Sequence, residues 1–130
     1  VTGVQTCALP ISVEHFDVLI TDQAGKPLAV IGSFKGAFNQ ASVYPNTLLA
    51  EALRIEGAAK AWGVHNHPSG NPTPSHDDKL ATLKVMRAAE LMQIDLLDHI
   101  IIGDNNSYCS FKEIGLLAEL ENIIKKEQTK

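Results

Sequence analysis

Residues 65–78 read His-Asn-His-Pro-Ser-Gly-Asn-Pro-Thr-Pro-Ser-His-Asp-Asp and join two kinds of secondary structure. The compact run 58–65 predicts a central β-strand, and the three prolines and one glycine of 68–74 exclude regular structure there. Ser75 is a favourable helix N-cap, and the apolar pattern that follows predicts a helix over 76–92. The stretch therefore predicts a strand, a rigid loop and a helix, a succession typical of α/β or α+β domains.

The segments on either side of this unit predict more strands and helices. In chain order we expect strands over 13–21 and 27–34, a loop over 35–44, a helix from Pro45 to Gly57, strands over 94–102 and 107–111, and a final amphipathic helix. The predicted fold class is α/β (α+β), with a mixed β-sheet of about five to six strands flanked by helices. It forms one domain over residues 12–118, and residues 119–130 are the end of the last helix and a frayed tail.

Composition and charge exclude several classes of protein. The 130 residues suffice for one domain, and apolar residues at 45% with charged residues at 20% exclude a disordered chain. The formal net charge of −4 argues against nucleic acid as a partner, and no apolar run approaches the roughly 20 residues that span a bilayer. Two cysteines are too few for a disulfide framework, so we expect a cytoplasmic protein with no membrane partner.

Residues 1–11 carry no charge and no clear period of apolar residues. They resemble the translation of a sequencing-library adapter, and we therefore exclude them from the predicted fold as an artefact. Cys109 is then the only thiol of the predicted domain, where we expect a small core residue.

His65 and His67 are the first candidate site residues. Side chains at positions i and i+2 of a strand point to the same face, so the two imidazoles lie about 7 Å apart at their Cβ atoms, close enough to converge on one ion. The proline-rich loop returns the chain to the start of the next helix, where Asp78 lies in the first turn. Two histidines and one carboxylate leave a fourth tetrahedral position for water, which is the composition of a catalytic zinc site.

The neighbouring strand positions predict what surrounds the two histidines. Ala61 and Gly63 share the face of His65 and are small, so we expect open volume in front of the strand. Trp62 and Val64 point to the opposite side, where we expect them to pack against a helix.

Several of these residues also have a structural interpretation. Ser75 and Asp78 fit a helix capping box, which needs neither histidine and is compatible with a metal site. A histidine in a strand is more often a packed residue than a ligand, so the pair Asp98-His99 either orients a ligand or belongs to the core. His76 lies in the first helical turn, where we expect it to face solvent.

The pattern His-x-His, seven residues, Ser, two residues, Asp over residues 65–78 matches the JAMM metalloprotease signature at every fixed position. Further landmarks accompany it in order along the chain: Glu14-His15-Phe16, Asn39-Gln40-Ala41-Ser42, His67-Pro68-Ser69-Gly70 with Pro72-Thr73-Pro74-Ser75, and Leu97-Asp98-His99. Together they resemble the bacterial RadC-like JAB/MPN domain over nearly all of residues 13–118. The resemblance implies the JAB/MPN fold, which has a cytidine-deaminase-like architecture.

The resemblance also implies a role for each site residue. His65, His67 and Asp78 would bind Zn2+ as the cofactor. Glu14 matches the upstream acid that the family uses as general base, and Ser75 would help to place the water or the oxyanion. The implied function is a zinc-dependent metallopeptidase or isopeptidase that cleaves an amide bond of a peptide or protein substrate.

Other functions remain open. The same fold could serve as a non-catalytic binding module, with Glu14 as a solvated carboxylate at a strand end. The RadC name is associated with DNA repair, but the sequence offers no helix-hairpin-helix and no basic stripe. The letters at 65–67 resemble HNH nucleases, in which the three residues are dispersed over a ββα unit. A zinc nucleobase deaminase would need a glutamate after the first histidine and a Pro-Cys-x-x-Cys run, and the chain has neither.

Overall fold

The structure is a computed structural model and describes residues 13–36 and 38–129, so the prediction made for residues 1–11 lies outside the described residues. One sheet contains five strands: β1 His15–Thr21, β2 Pro27–Lys35, β3 Lys60–Asn66, β4 Asp95–Ile102 and β5 Tyr108–Ser110. The described helices are α1 Pro45–Ala52, α2 His76–Met92 and α3 Leu116–Gln128. The expected mixed sheet flanked by helices is confirmed, and the architecture is α+β.

The order of the strands positions the segment 65–78. The sheet has the order β2-β1-β3-β4-β5, in which β3 and β4 are parallel and the other neighbours are antiparallel. Parallel neighbours need a crossover connection, and the proline-rich loop with α2 supplies it between β3 and β4. The carboxyl end of β3 and the amino end of α2 are therefore brought together.

The helices cover the face of the sheet that carries His65. Phe16, Val18 and Ala61 from β1 and β3 pack in one cluster with residues of α1 and α2. A second cluster joins Ile101 of β4 and Phe111 to residues of α2 and α3. Because burying apolar area is the main favourable term in folding, these two clusters hold the sheet and the helices together.

The opposite face of the sheet corrects one prediction. Val64, Ile100 and Ile102 are buried there, and Trp62 packs against them. This cluster contains strand side chains only, as far as the described residues show. For residues 13–36 and 38–129, the expectation that Trp62 and Val64 pack against a helix is therefore wrong, because each described helix packs on the other face.

Some element boundaries differ from those predicted. Helix α2 has the expected bounds, whereas α1 ends at Ala52 instead of Gly57 because the chain turns back there and Ile55 folds onto the first core cluster. The predicted loop 35–44 contains a 3-10 turn at Gln40–Ser42. Helix α3 continues to Gln128, through residues that the sequence assigned to a frayed tail. None of the helices in the described part of the chain is long and apolar enough to cross a membrane.

Candidate metal centre

Three elements supply the side chains of the candidate site. β3 carries His65 and ends one residue later, and His67 stays aligned with β4 because its backbone N–H donates to the Ile102 carbonyl at 2.9 Å. Asp78 lies in the first turn of α2, and Glu14 immediately precedes β1. The site therefore forms where two strand ends meet a helix beginning.

These residues form one compact group, called here the His–carboxylate cluster: Glu14, His65, His67 and Asp78. Each offers one nitrogen or oxygen atom, and the four atoms lie within 4.8 Å of one another. Asp78 Oδ2 is 2.9 Å from His67 Nε2, and its Oδ1 is 3.4 Å from His65 Nδ1. Glu14 Oε2 is 2.6 Å from His65 Nε2. The structure thus brings together every residue for which the sequence analysis expected a metal-ligand or general-base role.

The cluster is buried on one side and open on the other. The side chain of His65 is fully buried and that of Asp78 is 3% exposed, whereas those of His67 and Glu14 are 14% and 22% exposed. Solvent therefore reaches the cluster from the side of His67 and Glu14.

The proline-rich loop orients His67 through a backbone group. Nδ1 of His67 donates to the Asn71 carbonyl at 2.8 Å, which turns Nε2 toward Asp78. The Asn71 side chain accepts from the amide and the hydroxyl of Thr73, which stabilises the loop. Metal-binding histidines commonly donate their second ring N–H to a carbonyl in this way. Asn71 was not predicted, since a backbone carbonyl leaves no signal in the sequence.

Ser75 and Asp78 form the predicted capping box. Ser75 Oγ accepts from the Asp78 amide at 3.0 Å, and the Ser75 amide donates to Asp78 Oδ2 at 2.8 Å. The cap fixes the direction of the Asp78 carboxylate, because both bonds cross the first turn of the helix. The cap leaves the hydroxyl proton of Ser75 uncommitted, and the oxyanion role stays a prediction.

Comparison with known proteins gives the family. The RadC-like JAB domain matches residues 4–116 of the chain. The chain belongs to the RadC-like JAB domain family. It is 42% identical to a UPF0758 protein of Pelobacter propionicus, 45% identical to one of Coxiella burnetii and 40% identical to one of Staphylococcus aureus, over 80%, 80% and 82% of its own residues. It spans less than half the length of these relatives, at 44%, 46% and 48% respectively.

Electrostatics within this RadC-like JAB domain favour a neutral His65 and an ionised Asp78. Burial lowers the pKa of His65 and outweighs the opposite effect of the Asp78 and Glu14 carboxylates. Burial alone would raise the pKa of Asp78, but hydrogen bonds from His67 and the Ser75 amide lower it to about 2. The hydrogen bond to Asp78 raises the pKa of His67. A neutral imidazole beside a carboxylate is a combination that binds divalent transition metals.

An unpaired nitrogen supports the fit of a metal to the cluster. His65 Nδ1 is buried and has no hydrogen-bond partner among the described residues. Leaving a buried polar atom unpaired costs about 1–3 kcal/mol, so such an atom needs an explanation. The imidazole nitrogens and carboxylate oxygens of the cluster are the donor set that zinc takes in catalytic sites.

The layer behind His65 corrects the expectation of open volume in front of β3. A Cβ atom on Gly63 would lie 3.3 Å from His99 Cγ, so the ring of His99 fills the volume that was expected to be open. His99 stacks on Phe111 at 4.4 Å between ring centroids, and burial lowers its pKa to about 3. Its Nδ1 is 2.6 Å from Thr82 Oγ1, which itself donates to the Asp78 carbonyl.

The side chains of Asp98 and His99 point to opposite faces of β4. The Asp98 carboxylate accepts from the His99 amide, the Lys112 amide and the Ser110 hydroxyl, and none of its hydrogen bonds to described residues reaches the His–carboxylate cluster. Adjacent residues of a strand point to opposite faces, so the two could not act as a pair. His76 is exposed, as expected, and Cys109 is partly buried against the second core cluster.

Proposed function

We propose that the chain is a zinc-dependent metallohydrolase of the JAMM type that cleaves a peptide or isopeptide amide bond. The observation that carries the proposal is the convergence of four donor atoms within 4.8 Å of one another, with His65 and Asp78 buried and His67 and Glu14 partly exposed. Membership of the RadC-like JAB domain family supports it, since the resemblance to the JAMM signature covers the same residues. The proposed substrate partner is a peptide or protein.

The proposed zinc ligands are His65, His67 and Asp78. The two histidines would each supply one ring nitrogen, His67 after it gives up the Nε2 proton that it donates to Asp78, and the aspartate would supply one negative oxygen. This set leaves a coordination position for water or substrate. When bound, zinc would activate a water for attack and polarise the substrate carbonyl. The capping box orients the Asp78 carboxylate, and the Asn71 carbonyl orients the His67 ring, so contacts within the protein position two of the three ligands.

Glu14 is the proposed general base. Its carboxylate lies beside the ligands at 2.6 Å from His65 Nε2 and is 22% exposed, so it can reach both the site and solvent. It would accept a proton from the attacking water and deliver a proton to the leaving amine. This contact places Glu14 within the cluster, as a general-base role requires.

Ser75 is the proposed oxyanion donor. Its Oγ accepts from the Asp78 amide, so its own hydroxyl proton can be donated to a substrate oxygen. Donors placed before the reaction stabilise developing charge without reorganisation.

The test combines zinc content with hydrolysis. The full chain loaded with zinc is assayed on a panel of peptides and isopeptide-linked lysines, together with H67A and E14Q. We expect one zinc per chain in the unmodified protein, loss of zinc and hydrolysis in H67A, and zinc retained in E14Q with hydrolysis reduced about 10²–10⁴-fold.

H76A is the matched control for H67A. His76 is exposed in the first turn of α2 and is not part of the cluster, so H76A should keep both zinc and hydrolysis. Full zinc occupancy without hydrolysis of any substrate in the panel would contradict the proposal and favour a binding module. Binding of a natural partner that is unchanged in D78N would point the same way.

A further inference from the structure

The side chain of Asn66 holds the backbone on both sides of Glu14. Its Oδ1 accepts from the His15 amide at 2.5 Å, and its Nδ2 donates to the Val13 carbonyl at 3.1 Å. Asn66 is only 4% exposed, so both bonds are shielded from water. One carboxamide therefore binds the residues immediately before and after the proposed general base.

The end of the pairing between β1 and β3 explains the position of the Asn66 side chain. The ladder between β1 and β3 ends at the pair Phe16 and His65. The pairing with β4 on the other edge of β3 continues past this point, through the bond from the His67 amide to the Ile102 carbonyl. The Asn66 carboxamide, which has the donor and acceptor of a peptide group, connects the two segments where the backbone ladder between β1 and β3 has ended.

Glu14 is held from its other side as well. The Gly36 amide, just after β2, donates to the Glu14 carbonyl at 2.9 Å. With the backbone fixed on both sides, the alternation of the strand directs the Glu14 side chain to the face of Phe16, which is also the face of His65. A residue at a strand end would otherwise be free to fray.

We propose that Asn66 is a positioning residue that fixes the Glu14 carboxylate beside the metal ligands. The proposal rests on the proposed function, because it gives Glu14 a partner in that site. The Asn66 side chain points to the other face of β3, and its hydrogen bonds within the described part of the chain go to the backbone of His15 and Val13 and not to the proposed ligands.

Few side chains can replace the asparagine. Aspartate keeps an acceptor for the His15 amide but has no donor for the Val13 carbonyl. Alanine removes both bonds. N66A and N66D thus remove two bonds and one bond respectively, and N46D is a matched control, since Asn46 is exposed at the start of α1 and bonds only its neighbour Thr47.

The test uses Co2+ as the probe with the full chain. The visible absorption spectrum of bound Co2+ reports the groups around it, so we expect E14Q to change the spectrum. N66A should still bind one Co2+ per chain, and its spectrum should change in the direction of E14Q. The double variant E14Q/N66A should show no further change, whereas N46D should match the unmodified protein. A wild-type spectrum for either E14Q or N66A, or additive changes in the double variant, would overturn the proposal.

A second measurement does not depend on a variant folding. The His15 amide of the unmodified protein should exchange its hydrogen as slowly as the amides inside β1, although it lies at the strand end. Exchange at the rate of an unstructured peptide would overturn the proposal. Absence of hydrolysis would contradict the proposed function alone, because neither the Co2+ signature nor the exchange rate requires turnover.

Discussion

Asp78 and Asp98 are two buried aspartates, 2% and 5% exposed, with opposite roles. Asp98 is satisfied by two backbone amides and one hydroxyl, all of them neutral donors. Asp78 is held by one backbone amide and faces two imidazoles, one of which has an unpaired buried nitrogen. A buried carboxylate whose donors are all backbone and hydroxyl groups is structural, whereas one that shares its space with histidine nitrogens is a candidate metal ligand.

The largest difference between the two aspartates should appear in zinc affinity, when each is changed to asparagine. D78N replaces a negative zinc ligand with a neutral amide, so we expect the affinity for zinc to fall by more than about 100-fold. Isothermal titration of the metal-free protein with zinc measures this. Zinc affinity within a few-fold of the unmodified protein would remove Asp78 from the ligand set.

D98N should lower the stability of the fold and leave the zinc affinity unchanged. The change weakens three hydrogen bonds to a buried charge, and we expect the free energy of unfolding to fall by about 2 kcal/mol. Urea denaturation of the metal-free protein measures this loss. Zinc affinity of the folded protein should be unchanged, and a large loss of affinity would mean that the two aspartates are not separate in function.

T82V sharpens the comparison by testing the buried layer that connects Asp78 with His99. Thr82 bonds the Asp78 carbonyl on one side and His99 on the other, so valine leaves a buried imidazole nitrogen unpaired. We expect a loss of about 1.5 kcal/mol in unfolding free energy and up to about tenfold in zinc affinity. Parallel urea and zinc titrations separate the two effects. A zinc affinity unchanged within error would show that the layer supports the fold alone.

S75A should have the smallest effect on stability. It removes the acceptor for the Asp78 amide but leaves the Ser75 backbone bond to Asp78 Oδ2. Loss of an N-cap hydroxyl costs about 1 kcal/mol, and thermal unfolding with S75T as the conservative partner measures it. S75T should recover most of the loss, and no recovery would argue against the cap as the cause.

The sequence predicts the elements well where the local signals are strong. Helix α2 begins after Ser75 and ends at Met92 as expected, because an N-cap and a long apolar stripe define it. The alternation of side chains along β3 correctly predicts that His65 and Trp62 point to opposite faces of the sheet. Alternation does not reveal which face a helix covers, since that depends on packing between elements far apart in the chain.

The candidate site shows the same division between local and long-range information. The spacing of His65, His67 and Asp78 indicates their convergence, but the contacts around them come from other elements. Nothing in the small size of Gly63 shows that His99 of the neighbouring strand fills its space. The contact between Asn66 and the segment around Glu14 joins residues 51 and 53 positions apart, beyond any local pattern.

The central claim is that His65, His67 and Asp78 hold one catalytic metal ion. Crystals of the zinc-loaded chain, measured at the zinc absorption edge, test it most directly by anomalous scattering. We expect a single strong peak within about 2.0–2.2 Å of one atom from each of the three side chains. A peak elsewhere in the molecule, or no peak between these side chains at full zinc loading, would contradict the account.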